Sequence, residues 1–232
     1  MTVELHEFSG RGELAEALAD AVLHRMRQAL DDHDVVHMAV SGGTTPHCFF
    51  QALSKRPFAW DKVCITLVDE RWVPDTDSRS NARMVRGQLL QNHASIAEFH
   101  DLYCGTKTPE QGVNETMRLV GGIAYSLDVA VLGMGLDGHT ASLFPAGDRL
   151  TQALDPRSAM IFVPMNAPDL EDARLTMTVP GLLNADALFL HIEGPEKRAV
   201  LDEALKEGPI EDMPVRALIN HPEKIVSVYW TA

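Results

Sequence analysis

Basic charge is scarce in this chain. Lys and Arg number 20 against 33 Asp and Glu, giving a formal net charge of −13. That balance argues against an extended basic face of the kind that binds nucleic acid or acidic membranes. Cysteine is sparse too. Cys48, Cys64 and Cys104 are too few and too scattered for a disulfide framework or a Cys-rich zinc site. Their odd number fits a reducing compartment, where thiols stay free. No apolar run approaches the ~18 residues that cross a bilayer. The start, MTVELHEFSGRGEL, carries acids early and no apolar signal core. Repeats, low-complexity tracts and Gly/Ser linkers are all missing. What is present is a chain of 232 residues, 45% hydrophobic, too apolar for disorder. The expectation is one cytoplasmic domain over residues 1–232 with a sizeable core and neither membrane nor nucleic acid as partner.

Apolar strands alternate with amphipathic helices. Residues 3–8 suit a short strand. Leu14, Leu18, Val22, Met26 and Leu30 recur every fourth residue and predict a helix over 11–30. Val35–Val40, Val63–Val68, Asp128–Leu132, Ile161–Val163, Leu175–Val179, Ala187–Ile192 and Ile225–Tyr229 read as further strands. Pro46 opens a helix with Phe49, Phe50 and Leu53 inward. Ser80 is placed to cap a helix that runs through Leu90. Pro195 starts a helix with Val200, Leu201 and Leu205 on one side. The stretch 92–127 carries no usable motif. This alternation predicts an α/β fold with a largely parallel sheet flanked by helices. Such sheets bind ligands at the carboxyl ends of their strands, and the most unusual loops fall there.

The first of these loops is Ser41-Gly42-Gly43-Thr44-Thr45-Pro46. Its glycines permit a tight turn with exposed N–H groups, its threonines add hydroxyls, and a helix N-terminus follows. That suits a phosphate, though a bare β–α turn explains the loop equally well. It is neither a Walker A loop nor a dinucleotide fingerprint. The second loop starts Asp69-Glu70-Arg71-Trp72-Val73-Pro74. Arg71 can meet an anion or a developing oxyanion; the alternative is a solvated loop with an internal Arg–carboxylate pair. The third is Gly133-Met134-Gly135-Leu136-Asp137-Gly138-His139, continuing TASLFP. His139 can take a proton from water near neutral pH, and Asp137 can fix its tautomer. A metal is not expected here, because Asp137 and His139 offer two ligands and no zinc spacing follows. Arg174 and Lys197 are cations able to complete a phosphate site. No Gly-x-Ser-x-Gly elbow appears, and no Cys lies beside a His in a nucleophile setting, which favours an activated water over a covalent intermediate.

Taken together, SGGTTP at 41–46, DERWVP and SRSN within 69–81, and GMGLDGHTASLFP at 133–145 resemble the 6-phosphogluconolactonase family. RLTMTVPGLLNA at 174–185 and GPEKRAVL at 194–201 follow in the family's order. The resemblance implies a Rossmann-like fold shared with glucosamine-6-phosphate deaminase and ribose-5-phosphate isomerase. It implies hydrolysis of 6-phospho-D-glucono-1,5-lactone to 6-phospho-D-gluconate, the second step of the oxidative pentose phosphate pathway. No cofactor and no metal is implied. His139 becomes the general base, Asp137 its orienting partner and Arg71 the oxyanion contact. Gly42, Gly43, Thr44, Thr45, Arg174 and Lys197 become the phosphate site. The partner is thus a small sugar-phosphate lactone, for a monomer or small homo-oligomer.

Two rivals remain open. An amino-sugar phosphate deaminase shares the glycine loop and Asp-Gly-His, but its motif continues toward Ile-Ala-Phe-Asn-Glu rather than Thr140-Ala141-Ser142-Leu143-Phe144-Pro145. A non-catalytic sugar-phosphate sensor needs the phosphate loop but not Asp137, His139 and Arg71 together.

Overall fold

The computed structural model describes residues 3–168 and 170–232. Its main sheet has seven strands, all pairing parallel. Their spatial order is β1 (Val3–Phe8), β10 (Val226–Thr231), β9 (Ala187–Glu193), β6 (Val129–Leu132), β2 (Val36–Val40), β3 (Val63–Leu67) and β5 (Glu98–Phe99). The central strands are buried on both faces, as helix-covered parallel strands must be; every residue of β6 is buried. The α/β class expected from the alternating pattern is therefore the fold observed.

Helix α1 (Arg11–Asp32) buries Leu14, Leu18, Val22 and Met26 completely. Each such side chain contributes about 1.5–3 kcal/mol relative to exposure. Their recurrence every fourth residue, close to one helical turn, puts all four on the face that meets the sheet. Helix α2 (His47–Ser54) buries Phe49, Phe50 and Leu53, with Pro46 as its N-cap rather than its first residue. Helix α3 (Asn81–Gln88) is capped by Ser80, whose Oγ accepts from the Arg83 amide. Helix α4 (Pro109–Tyr125) occupies the stretch without a motif. Its buried face includes Gly112, Thr116, Gly121 and Ala124, so its apolar stripe is weak in sequence. Short helices α5 (Leu150–Leu154), α6 (Val179–Leu183) and α8 (Arg216–Ile219) pack around the sheet, as does α7 (Pro195–Ala204). Leu205, expected on the inward side of α7, is its C-cap and is exposed.

The Ile161 and Leu175 runs, read as strands, lie outside the parallel sheet. They form β7 (Phe162–Met165) and β8 (Arg174–Met177) of a separate antiparallel sheet, ordered β4-β8-β7. Strand β4 (Asp69–Arg71) leaves the end of β3 to pair with β8. The amide of Met177 donates to Val68 O and locks the junction. Strands of four residues carry no signal of which sheet they enter.

Strand order reverses between β2 and β6. From β2 the chain proceeds outward to β3 and β5; from β6 it proceeds the other way to β9 and β10. The crevice at such a reversal is where open α/β sheets bind ligands. Here the Ser41 amide donates to Val131 O, and the Gly133 amide to Ser41 Oγ, tying the two loops at the crevice together.

Candidate active site

The crevice opens into a cavity of about 330 Å³. Gly42, Gly43, Thr44 and Thr45 line it, as do Arg71, His139, Arg174 and Lys197. Asp137 stands just behind, against His139. Residues from distant stretches of the sequence are thus brought into one place.

The glycine loop turns from β2 into α2. Gly43 has φ of +93°, a conformation that other residues adopt only at a cost. Gly42 is required by a contact instead. A Cβ there would lie 1.9 Å from Asn81 Oδ1. Asn81 in turn accepts a hydrogen bond from Arg71 Nη1 at 2.9 Å and donates to Asp69 O at 2.9 Å. The free amides and positive dipole end of α2 adjoin the cavity and favour an anion.

Arg71 and Arg174 are direct partners across the antiparallel β4–β8 pair. Like charges in that relation destabilise a sheet unless an anion meets them. Arg71 donates from Nη1 to two neutral acceptors, Asn81 Oδ1 and Arg79 O, both at 2.9 Å. The carboxylate pairing considered for Arg71 falls to Arg79 instead, which pairs with Asp77, Glu171 and Asp172. The Arg174 Nε is buried without a hydrogen-bond partner among the described residues. Burial and then the charge of Arg71 lower the Arg174 pKa from its ordinary value. Burial likewise lowers that of Lys197, in the first turn of α7, with Glu193 opposing the shift. Three cations therefore line one cavity, with Asp69, Glu70 and Asp172 acting on Arg174 and Glu193 on Lys197.

Glu70, between Asp69 and Arg71, is fully buried and faces away from the cavity lining. Its carboxylate accepts from the amides of Arg71, Asn81 and Ala82 and from Ser80 Oγ. Burial pushes its pKa up to about 7, against the pull of the backbone donors. With all four lone-pair directions facing donors, the surroundings are built for the ionised form. Glu70 clamps the start of α3 onto β4 and so sets the path of the Arg71 loop.

The third loop folds back on itself. The Gly135 amide donates to His139 O, and Thr140 Oγ1 donates to Gly133 O. His139 Nδ1 lies 2.6 Å from Asp137 Oδ1, which also accepts from the His139 amide at 3.1 Å. An ionised carboxylate only accepts, so Nδ1 carries the proton, and in the neutral imidazole the lone pair falls on Nε2. Burial raises the Asp137 pKa, but the hydrogen bond and charge of His139 outweigh it and leave the carboxyl below its ordinary value. The imidazole leans on Phe144, centroids 4.5 Å apart. A Cβ at Gly135 would sit 2.2 Å from His139 Nδ1. Gly135→Ala is thus expected to displace the ring, read as shifted His139 imidazole NMR signals, while far-UV circular dichroism stays unchanged.

Sequence reasoning assigned no role to Asp69, Asn81, Ser142 or His191, all of which line the cavity. Ser142 Oγ donates to Asp69 Oδ2 at 2.5 Å, joining the second loop to the third. Asp69, Asn81 and Ser142 lie inside the quoted motifs. His191 is 2% exposed and its Nε2 is 3.3 Å from Glu193 Oε1; its place in an otherwise apolar strand was its sole signal.

This end of the sheet belongs to the class of parallel α/β enzymes that carry their site at a switch point, here suited to a small anion and to proton transfer. The family model described as glucosamine-6-phosphate isomerases/6-phosphogluconolactonase matches residues 9–230. The chain belongs to that family. A 6-phosphogluconolactonase of Mesorhizobium japonicum is 44% identical over 96% of this chain and 93% of its own length. One from Rhizobium meliloti is 43% identical over 99% of each. The crystal structure of a 6-phosphogluconolactonase from Shewanella baltica superposes with a TM-score of 0.95 at 36% identity, covering 100% of this chain and 98% of that one. Among the described residues no helix is long and apolar enough to cross a membrane.

Proposed function

We propose that the chain hydrolyses 6-phospho-D-glucono-1,5-lactone to 6-phospho-D-gluconate by a water that His139 activates. The observation that carries this reading is the His139–Asp137 pair sharing one cavity with Arg71, Arg174, Lys197 and the 42–45 loop. The family and the names of its relatives support the substrate.

His139 Nε2 takes a proton as water attacks the lactone carbonyl carbon. Asp137 holds the Nδ1 proton and stabilises the imidazolium that forms. Negative charge gathers on the former carbonyl oxygen, where Arg71 meets it. As the tetrahedral intermediate collapses, the bond to the ring oxygen breaks and His139 returns its proton to that oxygen. Gly42, Gly43, Thr44, Thr45, Arg174 and Lys197 grip the 6-phosphate, and this remote binding positions the carbonyl. Residues 1–232 act as one lactonase domain, a monomer or small homo-oligomer. The domain works in the cytoplasm, at the second step of the oxidative pentose phosphate pathway, without metal or organic cofactor.

The test is a coupled assay. Glucose-6-phosphate dehydrogenase generates fresh lactone, and its disappearance is compared with spontaneous opening. Acceleration is expected. Binding of 6-phosphogluconate without acceleration would instead mark a sensor, and ammonia release from glucosamine-6-phosphate a deaminase. Within the lactonase reading, Arg174→Met keeps the aliphatic packing and removes the charge. Its KM should rise ~10–100-fold with kcat nearly constant, since a charged hydrogen bond is worth about 1.5–3 kcal/mol. An unaltered KM removes Arg174 from the phosphate site.

A further inference from the structure

At the β5 edge of the sheet, β3 and its neighbour β5 bring together three side chains that the lactonase reading does not use. Cys64 and Glu98 are register partners on these two strands. His100 follows Glu98 by two residues, so it projects from the same face. The Cys64 Sγ lies 3.5 Å from Glu98 Oε2, and His100 Nε2 lies 2.9 Å from Glu98 Oε1. One ligand atom from each of the three falls within 4.8 Å of the others. Among the described residues this is the sole group of three or more His, Cys, Asp or Glu side chains arranged so.

We propose that Cys64, Glu98 and His100 form a zinc-binding site. Zinc takes thiolate, imidazole and carboxylate ligands at about 2.0–2.3 Å, which places neighbouring ligand atoms roughly 3.3–3.7 Å apart around a tetrahedral ion. The two separations that involve Glu98, 3.5 and 2.9 Å, lie within a few tenths of an ångström of that range, and the Cys64 and His100 ligand atoms lie within 4.8 Å of each other. The donor set also selects the metal. A sulfur and a nitrogen suit zinc, whereas calcium and magnesium take oxygen ligands. Zinc replaces the Cys64 thiol proton, which passes to solvent, and a water fills the fourth position.

The backbone holds the site ready. The His100 amide donates to Ile65 O at 2.9 Å, and Thr66 Oγ1 donates to His100 O at 3.0 Å. His37, the β2 partner of Cys64, stays outside the triad because its Nδ1 engages Ser126. Glu98 is largely exposed, which leaves an entry path for the ion. The site's consequence is structural. Strand β5 is two residues long and joins the sheet through Cys64–Glu98 and Ile65–Phe99 alone. A metal bridging the two strands fastens this edge without touching the cavity, whose lining includes none of the three residues.

The experiment uses the full-length chain, stripped of metal and titrated with Zn²⁺ against a chromophoric chelator, then with Co²⁺ as a spectroscopic probe. One zinc per chain is expected. Cys64→Ser, Glu98→Gln and His100→Asn should each weaken it by about 100-fold or more, beyond what outer-sphere partners typically cost. The thiolate-to-cobalt charge-transfer band should vanish in Cys64→Ser and persist in Cys48→Ser and Cys104→Ser. Zinc at about a hundredfold above its Kd should raise Tm by roughly 5–10 °C in the unsubstituted chain and not in the variants. Lactone opening, measured on the same samples, should be unchanged, so the two readings stand or fall separately. Zinc affinity equal in the unsubstituted chain and in the exposed-site variant Glu98→Gln, or a cobalt spectrum without a band that depends on Cys64, overturns the proposal.

Discussion

His139→Ala is expected to keep the fold and the affinity for 6-phosphogluconate while kcat for the lactone falls about 10²–10⁴-fold, the usual cost of a positioned general base. The expectation rests on three contacts. Asp137 Oδ1 takes both the amide and the Nδ1 proton of His139, which fixes the tautomer and the ring together. Gly135 leaves room beside the ring that any side chain would fill. Phe144 backs the ring from its face. None of these contacts belongs to the phosphate loop, so calorimetric binding of the product should survive the substitution. The residual rate must be read above spontaneous opening of the lactone. An undiminished kcat in the variant removes His139 from the role of base.

Arg71→Met should lower kcat about 10²–10³-fold and leave KM within a few-fold, the pattern of a contact made chiefly in the transition state. Arg71 and Arg174 sit opposite each other on paired strands, yet their surroundings differ. Arg71 is held at one nitrogen by Asn81 and the Arg79 carbonyl, a fixed posture that suits a charge developing at one place. Among the described residues, the buried Nε of Arg174 has no partner and no such anchor holds it. The pair of variants therefore discriminates: kcat for Arg71, KM for Arg174. A large KM rise with intact kcat in Arg71→Met would move Arg71 into the phosphate grip.

The parallel core is legible in the sequence because its central strands are short, largely apolar runs. Val36–Val40, Val63–Leu67 and Val129–Leu132 are such runs, and α1 shows a clean recurrence of apolar residues every fourth position. Strand β4 is hidden, since Asp69, Glu70 and Arg71 look like a polar loop; they are a strand only because β8 pairs with them. Helix α4 hides behind glycine, threonine and alanine on its buried face. The site follows the same division. Gly42, Arg71, Asp137 and His139 stand in motifs whose chemistry is local. The links between the motifs, such as Ser142 to Asp69 across 73 residues, exist only once the strands are ordered. The Cys64, Glu98 and His100 cluster is of this second kind, created by the register of one short edge strand.

Gly42 and Asn81 touch closely, and Asn81 is what steadies Arg71. In the proposed mechanism, the grip on a distant phosphate and the arm that meets the reacting carbonyl would therefore be leaves of a single hinge plate. A ligand that seats itself in the 42–45 loop presses on the same plate that aims Arg71. A lactone lacking its phosphate would then lose more than a handhold, because it would reach an arm that nothing had set.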